Sequence, residues 1–151
     1  MNIAQKLIRL PTLVCLIGIA LLSPGQAAAE QKQQLGPFEA HYVVVNTMFF
    51  NEEVAAQYGV VRGRDRALVN VSFLDGSGTP VAVTLEGTVK NLLSQVAPLE
   101  FREVREGPAI YYLAEIRITD RETLRFRIQV QTPDGETREL AFQQQMFWDG
   151  R

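Results

Sequence analysis

Ile110-Tyr111-Tyr112-Leu113-Ala114-Glu115-Ile116-Arg117-Ile118, followed five residues later by Leu124-Arg125-Phe126-Arg127-Ile128-Gln129-Val130, is the stretch on which the fold turns. Every second residue is apolar: Ile110, Tyr112, Ala114, Ile116 and Ile118, then Leu124, Phe126, Ile128 and Val130. A period of two marks strands with one face in a core and the other in water. A hairpin turning on Asp120-Arg121-Glu122 sets Ile118 against Leu124, Ile116 against Phe126 and Ala114 against Ile128. Inward residues then meet inward residues, a match that a one-residue slip destroys. The outward row places Glu115 opposite Arg127 and Arg117 opposite Arg125, as a solvated charge ladder.

The same pattern extends in both directions. Phe38-Glu39-Ala40-His41-Tyr42-Val43-Val44-Val45 and Ala67-Leu68-Val69-Asn70-Val71-Ser72-Phe73-Leu74 read as strands, the second ended by the turn string Asp75-Gly76-Ser77-Gly78-Thr79-Pro80. Val81, Val83, Leu85, Gly87 and Val89 face one way, and Ala82, Thr84, Glu86, Thr88 and Lys90 the other. Leu99 to Val104 is a weaker strand closed by Gly107-Pro108, and Leu140, Phe142, Gln144 and Met146 mark a last, wetter one. Between the first two strands, Asn51-Glu52-Glu53-Val54-Ala55-Ala56-Gln57-Tyr58-Gly59 carries an N-cap, two acids for the positive helix end and a C′ glycine. It predicts one short helix. About seven antiparallel strands with a single helix in a connection specify an all-β, immunoglobulin-like sandwich, with an up-and-down barrel as the alternative. The Cys-Trp-Cys pin of true immunoglobulin domains is absent, so the expectation concerns architecture alone.

The first 29 of the 151 residues read differently. Lys6 and Arg9 precede an apolar run from Leu10 to Leu22, and Ala27-Ala28-Ala29 follows. This is the pattern of a secretory signal peptide cleaved between Ala29 and Glu30. The run falls short of the roughly 18–20 residues that span a bilayer. Residues 30–36 are polar and aperiodic and predict a flexible leader, with the sandwich over 37–151. Loss of residues 1–29 removes Lys6, Arg9 and the only cysteine, Cys15, leaving the rest more acidic than the whole chain's 15 basic and 17 acidic side chains. A negative domain bound for the periplasm, or secreted beyond it, is a poor fit to nucleic acid. Thiol catalysis and cysteine-held metals have no ligand to use.

The remaining chemistry is sparse. His41, the only histidine, is the one available base for Ser72, Ser77 or Ser94, but Gly76-Ser77-Gly78 lacks the spacing of a nucleophile elbow. A lone imidazole without a second ligand is better read as structural. Glu52 and Glu53 suit the helix dipole, and Asp134-Gly135-Glu136 is a turn without the oxygen series of a calcium loop. No cofactor is expected. Arg62-Gly63-Arg64-Asp65-Arg66, if extended, projects three guanidinium groups on one side, either as an anion-ready row or as a salt-bridged rim. Met48, Phe49 and Phe50 cannot all face one core, so at least one is expected at the surface, while Phe50 is placed to staple the helix at Ala55. Trp148 is an edge plug or an anchor.

His41-Tyr42, the segment from Val54 to Arg62, Ala67-Leu68-Val69-Asn70-Val71-Ser72, Gly87-Thr88-Val89-Lys90-Asn91-Leu92 and Phe142-Gln143-Gln144-Gln145-Met146-Phe147 together resemble one family. It is the group of short exported gammaproteobacterial proteins catalogued as domain of unknown function 4426, whose members often carry Ser where this chain has Gly63. The resemblance implies a periplasmic single-domain protein and brings no activity to transfer. The residues themselves favour a non-catalytic protein that binds an envelope partner, with Phe49, Phe50, Tyr58, Arg62, Arg64 and Arg66 as candidate contacts. A carrier of a small apolar or amphipathic ligand is the alternative, and a hydrolase built on His41 a remote one.

Overall fold

The computed structural model describes residues 30–148; the expected signal segment and the Ala29 side of its cleavage site lie outside them. Nine strands follow in order. They are β1 (Gln31–Leu35), β2 (Phe38–Asn46), β3 (Arg66–Leu74), β4 (Thr84–Asn91), β5 (Val96–Leu99), β6 (Arg102–Glu106), β7 (Ala109–Arg117), β8 (Glu122–Gln131) and β9 (Thr137–Met146). The helix α1 (Glu52–Gln57) lies in the β2–β3 connection after a 3-10 turn at Thr47–Phe49. One sheet has the order β1-β2-β3-β7-β6 and the other β5-β4-β8-β9, with every pairing antiparallel. Both sheets have open edges, so the sandwich is found and the barrel is not. Among the described residues no helix is long and apolar enough to cross a membrane.

The alternation is realised on every long strand. Along β2, Phe38, Ala40, Tyr42, Val44 and Asn46 are buried while the residues between them are half-exposed. Val44, Val69, Val71, Phe73, Phe126, Ile128, Val130 and Leu140 meet between the sheets with almost no surface left in water. Each such side chain contributes about 1.5–3 kcal/mol by leaving water. Phe142 stacks on Tyr42 at 4.2 Å between centroids and on Phe126 at 4.7 Å, bridging the two layers with rings.

Three expectations need correction. The 110–130 stretch is not a hairpin: β7 lies between β3 and β6, whereas β8 lies between β4 and β9 in the other sheet. Its inward residues are all buried as read, but they face one another across the sandwich instead of pairing side by side. Alternation determines which face of a strand is buried and leaves its lateral neighbour open. Here the Ile118 N–H donates to Asp65 O at 3.0 Å, and Arg121 takes φ +59°, so the chain arches from one layer to the other. The charge ladder dissolves with the hairpin. Glu115 lies 3.9 Å from Arg66, and Arg127 lies 3.9 Å from Glu139.

The expected leader is strand β1, in which Gln31 to Leu35 pair with Tyr42 to Phe38. Its polar side chains satisfy an edge strand, which needs backbone partners more than an apolar face, and Leu35 anchors it in the core. The single weak strand expected from Leu99 to Val104 is two, β5 ending at Leu99 and β6 starting at Arg102, with Glu100 and Phe101 crossing between layers. β1 and β5 make nine strands where about seven were read.

The two ends of the sandwich differ. At one end β1–β2, β3–β4, β6–β7 and β8–β9 close on short turns containing glycine, such as Gly78 at φ +80° and Gly135 at φ +85°. At the other end lie the long β2–β3 connection, the β4–β5 turn, the β7–β8 arch and the residues after β9. Among the described residues, all six exposed large apolar side chains, Met48, Phe49, Val61, Leu92, Leu93 and Val96, belong to this loop end.

Candidate functional site

The loop end is fastened by two buried polar residues, Asn46 and Thr47. Asn46 Nδ2 lies 2.8 Å from Arg64 O and 3.1 Å from Phe147 O, tying the β2–β3 connection to the end of β9. Asn46 Oδ1 accepts from Met48 N at 2.9 Å and so starts the 3-10 turn. Thr47 Oγ1 binds both backbone groups of Gly63. These bonds hold Met48 and Phe49 in place although they are 49% and 58% exposed.

Phe50 turns the other way. With Val45, Tyr58, Val104 and Tyr111 it packs on buried Ala55, Val60, Leu68 and Leu113, a second apolar cluster on the outer face of the first sheet. The helix above it forms as read: Asn51 Oδ1 accepts from Val54 N at 2.8 Å, and Gly59 takes φ +62° after Tyr58. Tyr58 pins this cover down, its hydroxyl donating to the Glu106 carboxylate and its carbonyl accepting from Arg102, both on β6. The hydrogen bond to Glu106 and then burial push the phenol up to about 12.

The three arginines do not form a row. Arg66 N donates to Gly63 O at 3.1 Å, so a turn replaces the extended chain that would have aligned them. Arg62 reaches Glu52 at 3.5 Å, Arg64 lies over the Trp148 ring at 4.7 Å, and Arg66 approaches Glu115 at 3.9 Å. The Nε of Arg62 is buried without a partner. Phe49 and Arg62 therefore flank the Thr47–Gly63 bonds, whereas Phe50 and Tyr58 serve the second core.

His41 stands on the outer face of β2 beside β1, in register with Ser72 of β3. Its Nε2 is 2.7 Å from Glu39 Oε1 and its Nδ1 3.2 Å from Glu30 Oε1. Hydrogen bonds from Lys32 and His41 hold the Glu39 carboxyl below its ordinary range. Both ring nitrogens thus face carboxylates, and neither is turned to the serine.

Sequence reading missed two features of the loop end. Asn46 and Thr47 look like the polar end of a strand, and their burial depends on Gly63 and Phe147, far away in the chain. At the β4–β5 turn Leu92 and Leu93 are 62% and 81% exposed, with Val96 at 60%. The signal there was an apolar pair ahead of Ser94-Gln95, where a turn is ordinarily polar. Ser94 takes φ +64°, and an open recess of about 210 Å³ separates this tip from the β7–β8 arch.

The family model described as domain of unknown function, DUF4426, matches residues 32–149. The chain belongs to the DUF4426 family. A crystal structure of a DUF4426 protein from Pseudomonas aeruginosa PAO1 is 38% identical, with a TM-score of 0.69, covering 78% of this chain and 94% of that one. FetP of uropathogenic Escherichia coli strain F11, produced recombinantly in the periplasm, is similar at 9% identity and a TM-score of 0.58, covering 80% and 95%. A copper-bound FetP variant gives 10% and 0.55, covering 79% and 95%. At such identities the likeness to FetP concerns the fold alone. No curated protein matches the DUF4426 chain. Among its described residues no group of three or more His, Cys, Asp and Glu side chains is arranged to hold a metal ion.

Proposed function

We propose that this DUF4426 protein is an exported, non-catalytic binding protein of the cell envelope, holding a protein partner through Met48 and Phe49 with Val61 and Arg62 beside them. One observation carries the reading: buried Asn46 and Thr47 rigidly fix an apolar segment that remains in water. A segment already ordered loses little entropy on binding, and aromatic and arginine side chains are what protein interfaces use as anchors. Export is supported by the reading of residues 1–29 and by a fold shared with a protein produced in the periplasm. The rings stacked between the sheets weigh against a ligand carrier, and the two carboxylates on His41 against a serine hydrolase.

Photo-crosslinking from position 49 in intact envelopes tests the proposal, with position 77 at the opposite end as the control. Discrete adducts from position 49, lost when Arg62→Ala is added, support it. Equal adducts from both positions, or none from either, reject it.

A further inference from the structure

The β4–β5 tip belongs to the second sheet and has no part in the protein-partner reading. Leu92 and Leu93 project from a turn whose Asn91 side chain accepts from Leu93 N and Gln95 N, both at 3.0 Å, so the two leucines are held out in a fixed shape. On the outer face just behind them, Val96, Lys90, Arg125 and Gln143 lie side by side across four strands in register. Lys90 and Arg125 are directly opposed like charges, an arrangement that costs stability. Among the described residues neither side chain has an ion-pair or hydrogen-bond partner. Arg121, at the arch beside the tip, has a side chain 80% exposed that reaches Asp120 at 4.0 Å, while its carbonyl accepts from Gln145 Nε2.

The neighbouring carboxylates, Asp120 beside Arg121 and Glu122 beside Asn91, make no ion pair with Lys90 or Arg125 among the described residues. Glu122 accepts from Thr119 N and Asn91 Nδ2, and Asp120 from Trp148 N. Glu86 and Glu139 stand further from the tip, where Glu139 meets Arg127. The surface therefore grades from bare aliphatic side chains at the tip, through unneutralised cations, to paired charges behind. Leucine and lysine are poor protein-interface anchors, whereas leucine enters hydrocarbon favourably and cations near it meet headgroup phosphates.

We propose that the Leu92–Leu93 tip and the Lys90–Arg125 row dock the domain on a bilayer containing anionic phospholipid. The leucines enter the interface while Lys90, Arg125 and Arg121 lie against the headgroups. Held this way, the domain presents its loop end to the membrane and its glycine-containing end to the aqueous space.

Co-sedimentation of the exported chain, recovered from the envelope, with vesicles tests this. Binding is expected to phosphatidylcholine vesicles containing phosphatidylglycerol and not to phosphatidylcholine alone, and to weaken as salt rises. Lys90→Gln and Arg125→Gln should each weaken it about fivefold, and together roughly twenty-five-fold. Leu92→Ser with Leu93→Ser should weaken it at least about tenfold. Circular dichroism checks that each variant keeps its sheet signal, as solvent-exposed substitutions should. No sedimentation by the wild type, or equal sedimentation with both vesicle types, overturns the proposal. So does equally tight binding to soluble polyglutamate that survives the leucine substitutions, which would assign the row to an acidic macromolecule. Crosslinking from position 49 is read separately, so failure here leaves the partner reading standing and the reverse holds as well.

Discussion

Thr47 and Gly63 bind each other twice: Thr47 Oγ1 accepts from Gly63 N at 2.9 Å and donates to Gly63 O at 3.1 Å. One hydroxyl thus does for Gly63 what a neighbouring strand does for a ladder residue. It closes a connection in which the Gly63 carbonyl also accepts from Arg66 N, whereas the Gly63 N–H depends on Thr47. Thr47→Val keeps the shape and removes both bonds. It should cost about 1–3 kcal/mol, seen as a lower denaturant midpoint, with faster amide exchange at Gly63 and Met48. An unchanged midpoint would show that the clasp does not hold the connection.

The placement of β7 and β8 in different sheets has its own test. Thr88 and Arg127 face each other on adjacent strands, whereas Glu115 and Arg127 lie on the outer faces of opposite sheets. Cysteines at 88 and 127 should join readily with a short thiol cross-linker. Cysteines at 115 and 127 should remain separate, because two stacked sheets are about 10 Å apart before the outer side chains are counted. The reverse result would restore the hairpin.

Tyr58 should titrate late. Its phenol is raised to about 12 by the Glu106 carboxylate and by burial, so it deprotonates about two units above an ordinary tyrosine. Absorbance titration should show a late component in the wild type that moves earlier in Glu106→Gln and shrinks by one tyrosine in Tyr58→Phe. Tyr112 also titrates late, through burial, and should be untouched by either change. Because the folded value exceeds the unfolded one, the contribution of Tyr58 to stability is complete below pH 10 and is lost as pH rises toward 12.

Acid acts on the β8–β9 turn. Arg138 grips Asp134 with two nitrogens, at 2.8 and 2.7 Å, and holds its carboxyl well below the usual range with help from Thr132. A depressed carboxylate contributes fully above its unfolded value near 4, and the contribution disappears as pH falls toward the folded value. Denaturation midpoints should therefore drop below about pH 4, and Asp134→Asn should flatten that acid limb. An identical limb in the variant would mean that other carboxylates, such as Glu39 and Asp75, carry the effect.

Much of this architecture was legible in the sequence, because burial imposes a period that side chains record. Ile110 to Ile118 and Leu124 to Val130 announced which faces turn inward, and Asn51 and Gly59 announced both ends of α1. Lateral pairing left no comparable trace: nothing in Ile118 or Leu124 says whether they meet beside or across. The edge strand β1 was invisible because its stability comes from backbone bonds to Phe38–Tyr42, and Gln and Lys serve those as well as any residue. The loop end was legible where local chemistry decides, as in the split between exposed Phe49 and packed Phe50. It was not legible where Asn46, Thr47, Gly63 and Phe147 are brought together from distant positions.

Antiparallel pairing has also sorted the connections into two populations, with the apolar tips on one side and Asp75-Gly76-Ser77-Gly78 and Asp134-Gly135 on the other. A fluorophore or affinity handle grafted at Ser77 would therefore stand a full strand length from both surfaces under test. The molecule can be immobilised by that handle in a known orientation, with its greasy pole free to sample whatever is presented to it.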